Sequence, residues 1–552
     1  MNIDQDFSIQ VIETDVLVLG GGLAGFRAAV SARNSGAEVL IAYQAHGASQ
    51  YIIGFNAPLG DSDPRDNPEV YFDDMVKGGY GLNDRQLVSV VANGAIDALN
   101  ELVSIGVPFE RKGAKFVQRH LSGNSYPRSV FHPHGIGHLA LKGLIEHSKE
   151  IGIKEQSGIK VISLLKDGND VVGAILAKKH TGEFIAVHAN AVVMAMGGIG
   201  AIYSDSTYPA DVASDSYALA LHAGATLIDM EFVQFEPTVV VYPEGAKGME
   251  MPTAMLGDGA YLLNSLGERF MFKYNPEFGE TKIEKAKMAL CIQREIDEGR
   301  GLSDGTILFD TTKVPPQKLE SYVNHCKRLR NSGLEPLTNL PRIRPAAHSH
   351  MGGIKVDKNY WTGIPGFYAA GEASGGVHGA SRLAGNGASD VIVSGGVAGR
   401  SAASMKKSGA KRNWDHIHQI ALEKIKSLFN KEKGIKAEEI KKELCDTMLS
   451  SAGLIRDEAS LKRGRKKLMD LQSLLNQGVQ SKSLPDALRA LEAEHMLLTA
   501  LVVVESALER SESRGAHRRS DYPDSDDSLW LHHIGFKMSH EQKLDRLKLP
   551  LE

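Results

Sequence analysis

Apolar runs that read as strands alternate with amphipathic stretches that read as helices from residue 14 to residue 238. The run after Asp15 stops at a glycine cluster. A helical pattern over 26–34 and a second apolar run over 37–42 follow, which predicts strand, tight turn, helix, strand. Residues 86–104 and 137–149 repeat apolar positions at three- and four-residue spacing and predict two more helices. Residues 161–166, 171–178 and 184–188 read as the strands of a small inserted meander, and 191–198 as a separate buried parallel strand ending in a glycine turn. Between 239 and 344 prolines interrupt every pattern, among them Pro243, Pro252, Pro276, Pro315, Pro316, Pro336 and Pro341. That stretch predicts an inserted α+β cap. The first pattern then resumes, with a short strand at 366–370 and a helix over 386–403. Four amphipathic helices are predicted beyond it, at 414–429, 437–450, 458–475 and 484–510, and they suit a helical bundle.

The expected organisation is therefore α/β. A Rossmann-like nucleotide-binding domain occupies 1–238 and 346–406, the cap 239–345, the C-terminal helical bundle 407–510, and a tail 511–552. With 552 residues and a formal charge of -4, the chain is long enough for several cores. It carries no basic arm that would suit nucleic acid. The basic run at 462–467 is read as a wet helix face. No apolar run approaches the roughly 20 residues that span a bilayer, and the acidic start lacks a signal core, so a cytoplasmic address is expected. Cys291, Cys326 and Cys445 lie far apart and offer none of the spacings that hold zinc or an iron–sulfur cluster, so no metal centre is expected.

Gly20, Gly22 and Gly25 form GxGxxG between a strand and a helix. A dinucleotide pyrophosphate sits on the amino end of such a helix, where free N–H groups and the helix dipole attract anions and a side chain would hold the phosphates away. The acid that usually grips the adenosine ribose at the end of the second strand is missing, because Ala42-Tyr43-Gln44 offers no carboxylate. Adenosine contacts must partly come from elsewhere.

Four further blocks carry a resemblance: Met230-Glu-Phe-Val-Gln-Phe-Glu-Pro-Thr238; His348-Ser-His-Met-Gly-Gly353; Gly371-Glu372 with His378-Gly-Ala-Ser-Arg-Leu383; and Ser513-Arg-Gly-Ala-His-Arg-Arg-Ser-Asp-Tyr-Pro-Asp524. With the glycine loop they span nearly the whole chain. The chain resembles the flavoprotein subunits of succinate dehydrogenase and fumarate reductase, a family that includes L-aspartate oxidase and adenylylsulfate reductase. The resemblance implies FAD between the nucleotide-binding domain and a mobile cap, and hydride transfer with a small organic acid. It carries Glu372 over as the acid for ribityl or ribose hydroxyls and Asp215 as the aspartate near the adenosine. Gly197 lies in the second glycine turn, and Asn386, Ala388 and Ser389 in the loop and helix beside the flavin ring. Where the dehydrogenases bond a histidine to the flavin this chain has Gly47, so noncovalent FAD is expected, with His46 as the alternative attachment.

Of the family's substrate anchors, His348 and Arg382 match one histidine and the clamping arginine, and arginine's planar fork suits a carboxylate. The others differ. Glu236 stands in place of the histidine of His-Pro-Thr, Lys285 in place of the proton-donating arginine, and Pro252-Thr253 in place of Thr-Glu. A second substrate carboxylate beside Glu236 would place like charges together in a poorly solvated site, so an acid other than fumarate or succinate is expected. The proton carrier is either Lys285, if burial lowers its pKa, or Glu236, if burial raises its own. The histidines at 120, 132, 134 and 138 are read as a polar loop rather than a metal site. A separate iron–sulfur or ferredoxin-like subunit is the expected electron partner, with the 513–527 segment beside it, and through that partner the chain would be peripheral to a membrane. Two alternatives stand beside this reading: an adenylylsulfate-reductase-like flavoprotein, and an electron-transfer flavoprotein whose substrate pocket has decayed.

Overall fold

The computed structural model describes residues 9–405, 412–428, 434–539 and 541–551. The acidic start at 1–7 and Phe429, expected to close the first C-terminal helix, lie outside them. In chain order the first elements are β1 (Ile9–Leu19), α1 (Leu23–Asn34), β2 (Val39–Ala42), α2 (Arg85–Ser104) and α3 (Ile136–Glu150). β3 (Lys154–Gln156), β4 (Ile159–Asp167), β5 (Asp170–Lys178) and β6 (Phe184–Met194) follow. These six strands make one sheet in the order β3-β2-β1-β6-β5-β4. The parallel half, β3-β2-β1-β6, is the nucleotide-binding sheet, and β4 and β5 extend it antiparallel.

The two separate strands expected at 184–188 and 191–198 are one strand of 11 residues, β6. Polar His188 and Asn190 hide that continuity in the sequence. β1 reaches back to Ile9 and pairs with β6 from Phe184 to Met194, and the Asn190 amide donates to Asp15 at 3.0 Å. The expected meander is thus part of the main sheet.

After α4 (Asp215–Ala223) and β7 (Thr226–Ile228) comes β8 (Val233–Tyr242), which pairs antiparallel with β9 (Arg342–His350). Between them lie α5 (Lys285–Glu295) and a separate apolar cluster that includes Val240, Met251, Ile292, Phe309 and Ile343. Val233, Phe235 and Ala347, on the same two strands, belong to the main core. β8 and β9 therefore cross from one core to the other, and their middle residues stand at the junction.

The last strand of the main sheet, β10 (Phe367–Ala369), lies parallel to β6, and α6 (Asn386–Ala403) packs against α1. α7 (Trp414–Leu428) covers β4 to β6 through Ile417, Ala421 and Ile425. α8 (Ala437–Ser451), α9 (Glu458–Gln477) and α10 (Leu484–Glu509) form the expected bundle. In the basic run on α9, Lys462, Arg465 and Lys467 pair with Glu458, Glu505 and Glu443. The tail carries a hairpin, β11 (His533–Met538) and β12 (Leu544–Leu549), and β11 lies between β7 and β12. The tail is thus built into this chain's own fold.

Among the described residues α2 alone is long and apolar enough, by length and composition, to cross a membrane. Its apolar face, with Leu87, Val91, Ala95 and Leu99, is buried in the main core.

Candidate active site

The glycine loop is shaped by close approach. A Cβ on Gly25 would lie 1.9 Å from the Gly20 carbonyl oxygen, and one on Gly20 would lie 2.1 Å from that of Ala195. Gly22 caps α1 with no side-chain hydrogen bond of its own, no acid follows in the first turn, and the Leu23 N–H donates to Ser49 Oγ at 3.0 Å. α6 also starts without a side-chain cap, after Gly385 at φ 89°. The resemblance places the flavin between these two helix ends, and the side chains there suit a ring rich in acceptors and donors. Asn386 accepts from Asn56 at 2.7 Å and from the Tyr71 hydroxyl at 2.9 Å. Ser389 holds the Asn56 backbone from both sides, at 2.9 and 2.8 Å. Ala388 leaves the first turn of α6 bare, and the buried Asn56 Oδ1 has no partner among the described residues. Gly197 has φ +80°, and Ser216 donates to its carbonyl at 2.7 Å. Glu372 follows β10, accepts from the Tyr208 hydroxyl and from the His350 N–H at 2.9 Å, and is raised in pKa by burial. These residues fit FAD.

At the junction of the two cores the four proposed substrate residues come together. β8 and β9 set Glu236 opposite Ala346, two residues from His348. The first turn of α5 brings the Lys285 ammonium to 2.7 Å from Glu236 and 2.7 Å from a residue not anticipated, Glu250. Burial alone would lower the Lys285 pKa, but the two carboxylates outweigh it and raise it. The condition set for Lys285 as proton carrier, a pKa lowered by burial, is therefore not met. Burial and Glu250 push the Glu236 carboxyl up to about 8. For Glu250 burial is outweighed by Lys285, whose charge and hydrogen bond hold the carboxyl down at about 2. The two acids are thus driven in opposite directions, Glu236 toward its protonated form and Glu250 toward its ionised one.

His348 Nδ1 lies 3.0 Å from the Thr207 hydroxyl. Burial, with Arg382 and Lys285 adding to it against Glu250, lowers its pKa to about 4 and keeps the ring neutral. Glu236, Glu250 and His348 present ligand atoms within 4.8 Å of one another, but the Lys285 ammonium already supplies a cation to both acids. Arg382 donates through Nε to Ser349 Oγ at 3.0 Å, and among the described residues it has no carboxylate partner. A guanidinium in no direct ion pair, with the Glu372 carboxyl only within reach of its charge and a neutral imidazole beside it, can receive an anion.

The two oxygens of Asp215 each take one partner, Lys160 at 2.6 Å and His495 at 2.6 Å, in a network that ties α4 to β4 and α10. His46 has its Nδ1 2.9 Å from the Gly21 carbonyl oxygen, beside the glycine loop. In the histidine loop His120 contacts the Asn124 carbonyl at 2.6 Å, and the His132 and His134 rings lie 5.4 Å apart. Glu250 had one signal in the sequence, a lone carboxylate between Met249 and Met251. Tyr208 and Thr207 had none, because only the fold brings their loop to β9.

Residues 15–388 match the model of an FAD binding domain, and 441–550 that of the fumarate reductase flavoprotein C-terminus. A curated relative from Methanothermobacter marburgensis, a subunit of its fumarate reductase (CoM/CoB), is 35% identical over 530 residues, covering 94% of this chain and 96% of its own. L-aspartate oxidase of Streptomyces coelicolor is 30% identical over 552 residues, covering 97% and 93%. A solved quinol-fumarate reductase with menaquinol molecules superposes with a TM-score of 0.91 at 27% identity over 99% of both chains.

Proposed function

The chain belongs to the FAD-dependent fumarate reductase and succinate dehydrogenase flavoprotein family, and from that premise we propose that it exchanges hydride with a small organic acid bearing one carboxylate at Arg382 and no second carboxylate facing Glu236. The observation that carries this reading is the pairing state of the pocket. Arg382 is free of any described carboxylate, while the cation at the other end, Lys285, is already shared by Glu236 and Glu250. Bound FAD supplies hydride acceptance or donation at N5. The chain's own residues do the rest. Arg382 fixes the carboxylate that activates the adjacent carbon–carbon bond, and neutral His348 completes its hydrogen bonding. Glu236, protonated at neutral pH, holds the proton for the neighbouring carbon and regains one from solvent after each turnover, a state that burial and the charge of Glu250 favour.

The cofactor is proposed to be held without a covalent bond. Gly47 stands where the resemblance places the linking histidine, and His46 is engaged with the Gly21 carbonyl. Because relatives of this chain are named as subunits, a separate iron–sulfur or ferredoxin-like protein is proposed as the electron partner.

Fumarate is the second reading, favoured by the names of relatives that reduce it. With Glu236 protonated, Lys285 could turn toward a second carboxylate. The test is anaerobic: the flavin of the purified protein is reduced with dithionite and its reoxidation followed on adding fumarate and then monocarboxylate enoates. Reoxidation by a monocarboxylate enoate and not by fumarate is expected. Rapid reoxidation by fumarate would replace this reading with the second one.

A further inference from the structure

The carboxylate missing from the end of β2 is supplied by the next strand. Dinucleotide folds place an acid there because the adenosine ribose presents its hydroxyls to the carboxyl end of the second strand. Here Tyr43 follows β2. The nearest acid in sequence, Glu38, stands at the opposite end of the strand, where Arg33 pairs with it at 2.6 Å. β3 lies parallel to β2 on its outer side, with Ile41 opposite Glu155 and Ala42 opposite Gln156. Side chains paired across a parallel ladder share a face, and residues two apart along a strand share it again. Glu155, Ile41 and Tyr43 therefore point the same way. The Tyr43 hydroxyl donates to the Glu155 carboxylate.

Tyr43 ties this pair to the glycine loop. A Cβ on Gly21 would lie 2.5 Å from Tyr43 Cγ, and the Tyr43 ring meets Phe26 of α1 edge-on at 5.6 Å. The Tyr43 ring is buried, whereas Glu155 is exposed at the carboxyl edge of the sheet. No described lysine or arginine pairs with Glu155, and its second oxygen is available. The carboxylate is thus held at one oxygen by a fixed hydroxyl, with the Tyr43 ring between it and the glycine loop.

We infer that Glu155, oriented by Tyr43, accepts hydrogen bonds from the ribose hydroxyls of the adenosine half of FAD. The inference rests on the FAD reading and goes beyond it by assigning the adenosine contact that the sequence lacks. FMN ends at its single phosphate and cannot reach Glu155, so the two flavins separate this role from a general effect on the fold. The full-length protein, stripped of flavin, is titrated with FAD and with FMN by flavin fluorescence, as wild type, Glu155→Gln and Tyr43→Phe. Glu155→Gln is expected to weaken FAD about tenfold, the size of one charge-assisted hydrogen bond, and to leave FMN within about twofold. Tyr43→Phe should weaken FAD less, with FMN again unaffected. Equal loss for both flavins, or no loss for either, would overturn the assignment. A wild-type protein with no preference for FAD over FMN would overturn the FAD reading itself, and the assignment with it.

Discussion

At the residue scale the pocket is a problem of one proton and two cations. Arg382 keeps its charge available, whereas Lys285 commits its charge to Glu236 and Glu250. Because Glu236 is raised to about 8, its proton is present at neutral pH and is lost as pH rises through that value. The rate at which substrate reoxidises the reduced flavoprotein should therefore fall above about pH 8. Glu236→Gln should slow it about a hundredfold, within the usual range for a general acid, and remove that alkaline limb. A pH profile of single-turnover reoxidation checks both, and an unchanged limb in the variant would assign the proton to another group. Glu236, Lys285, His348 and Arg382 can be named from the sequence because motifs fix their positions. The charge state of Lys285 cannot, because it depends on Glu250, which no motif marks and which α5 meets only in three dimensions.

At the scale of elements, strands and helices are legible wherever burial follows a period. The helix at 386–403 emerges with those bounds, and the four C-terminal helices emerge within a residue or two where they are described. β6 escapes the pattern because His188 and Asn190 interrupt its apolar run, and the partner that carries it through them, β1, lies some 175 residues away in the chain. The partners of Asp215 are hidden in the sequence for a related reason. The motif marks the residue, but Lys160 of β4 and His495 of α10 claim its carboxylate. Burial alone would raise its pKa, yet the Lys160 charge and the hydrogen bond with His495 outweigh desolvation and hold the carboxyl well below the usual carboxylate range. A carboxyl depressed in the folded state contributes stability above its unfolded pKa and loses it as pH falls. Asp215→Asn should therefore cost about 3 kcal/mol at pH 7, as breaking a buried ion pair does, and progressively less below about pH 4. Its FAD affinity should stay within about twofold. Denaturant titrations at pH 7 and at about pH 2.5, with a flavin titration beside them, check this, and a large loss of FAD affinity with unchanged stability would return Asp215 to the adenosine site.

At the scale of the whole molecule, the tail reaches the substrate pocket through the back of the arginine loop. The Ala516 N–H donates to the Ala380 carbonyl at 2.8 Å, two residues before Arg382. Gly515 beside it has φ +51°, and a Cβ there would lie 2.2 Å from that same carbonyl oxygen. The contact is held from behind by a buried network in which Arg514 pairs with Glu512, and Glu512 with Arg510, which in turn pairs with Glu231 just before β8. β8 carries Glu236, so the network braces the arginine loop and the glutamate strand against the same tail. Gly515→Ala cannot be absorbed by rotating a side chain, because the obstructing atom is backbone and the φ value itself disfavours alanine. Either the tail lifts or the arginine loop retreats. Both displace Arg382 relative to Glu236 and leave the FAD cradle, built from α1, α6 and β10, in place. The variant should retain FAD at full occupancy and show a KM for its acid substrate raised about tenfold or more, with a smaller change in kcat, since a misplaced anchor weakens substrate before it disables the flavin. Steady-state kinetics and the flavin absorbance of the same preparation decide it. Loss of FAD with KM unchanged would mean that the tail supports the cofactor domain and not the substrate anchor.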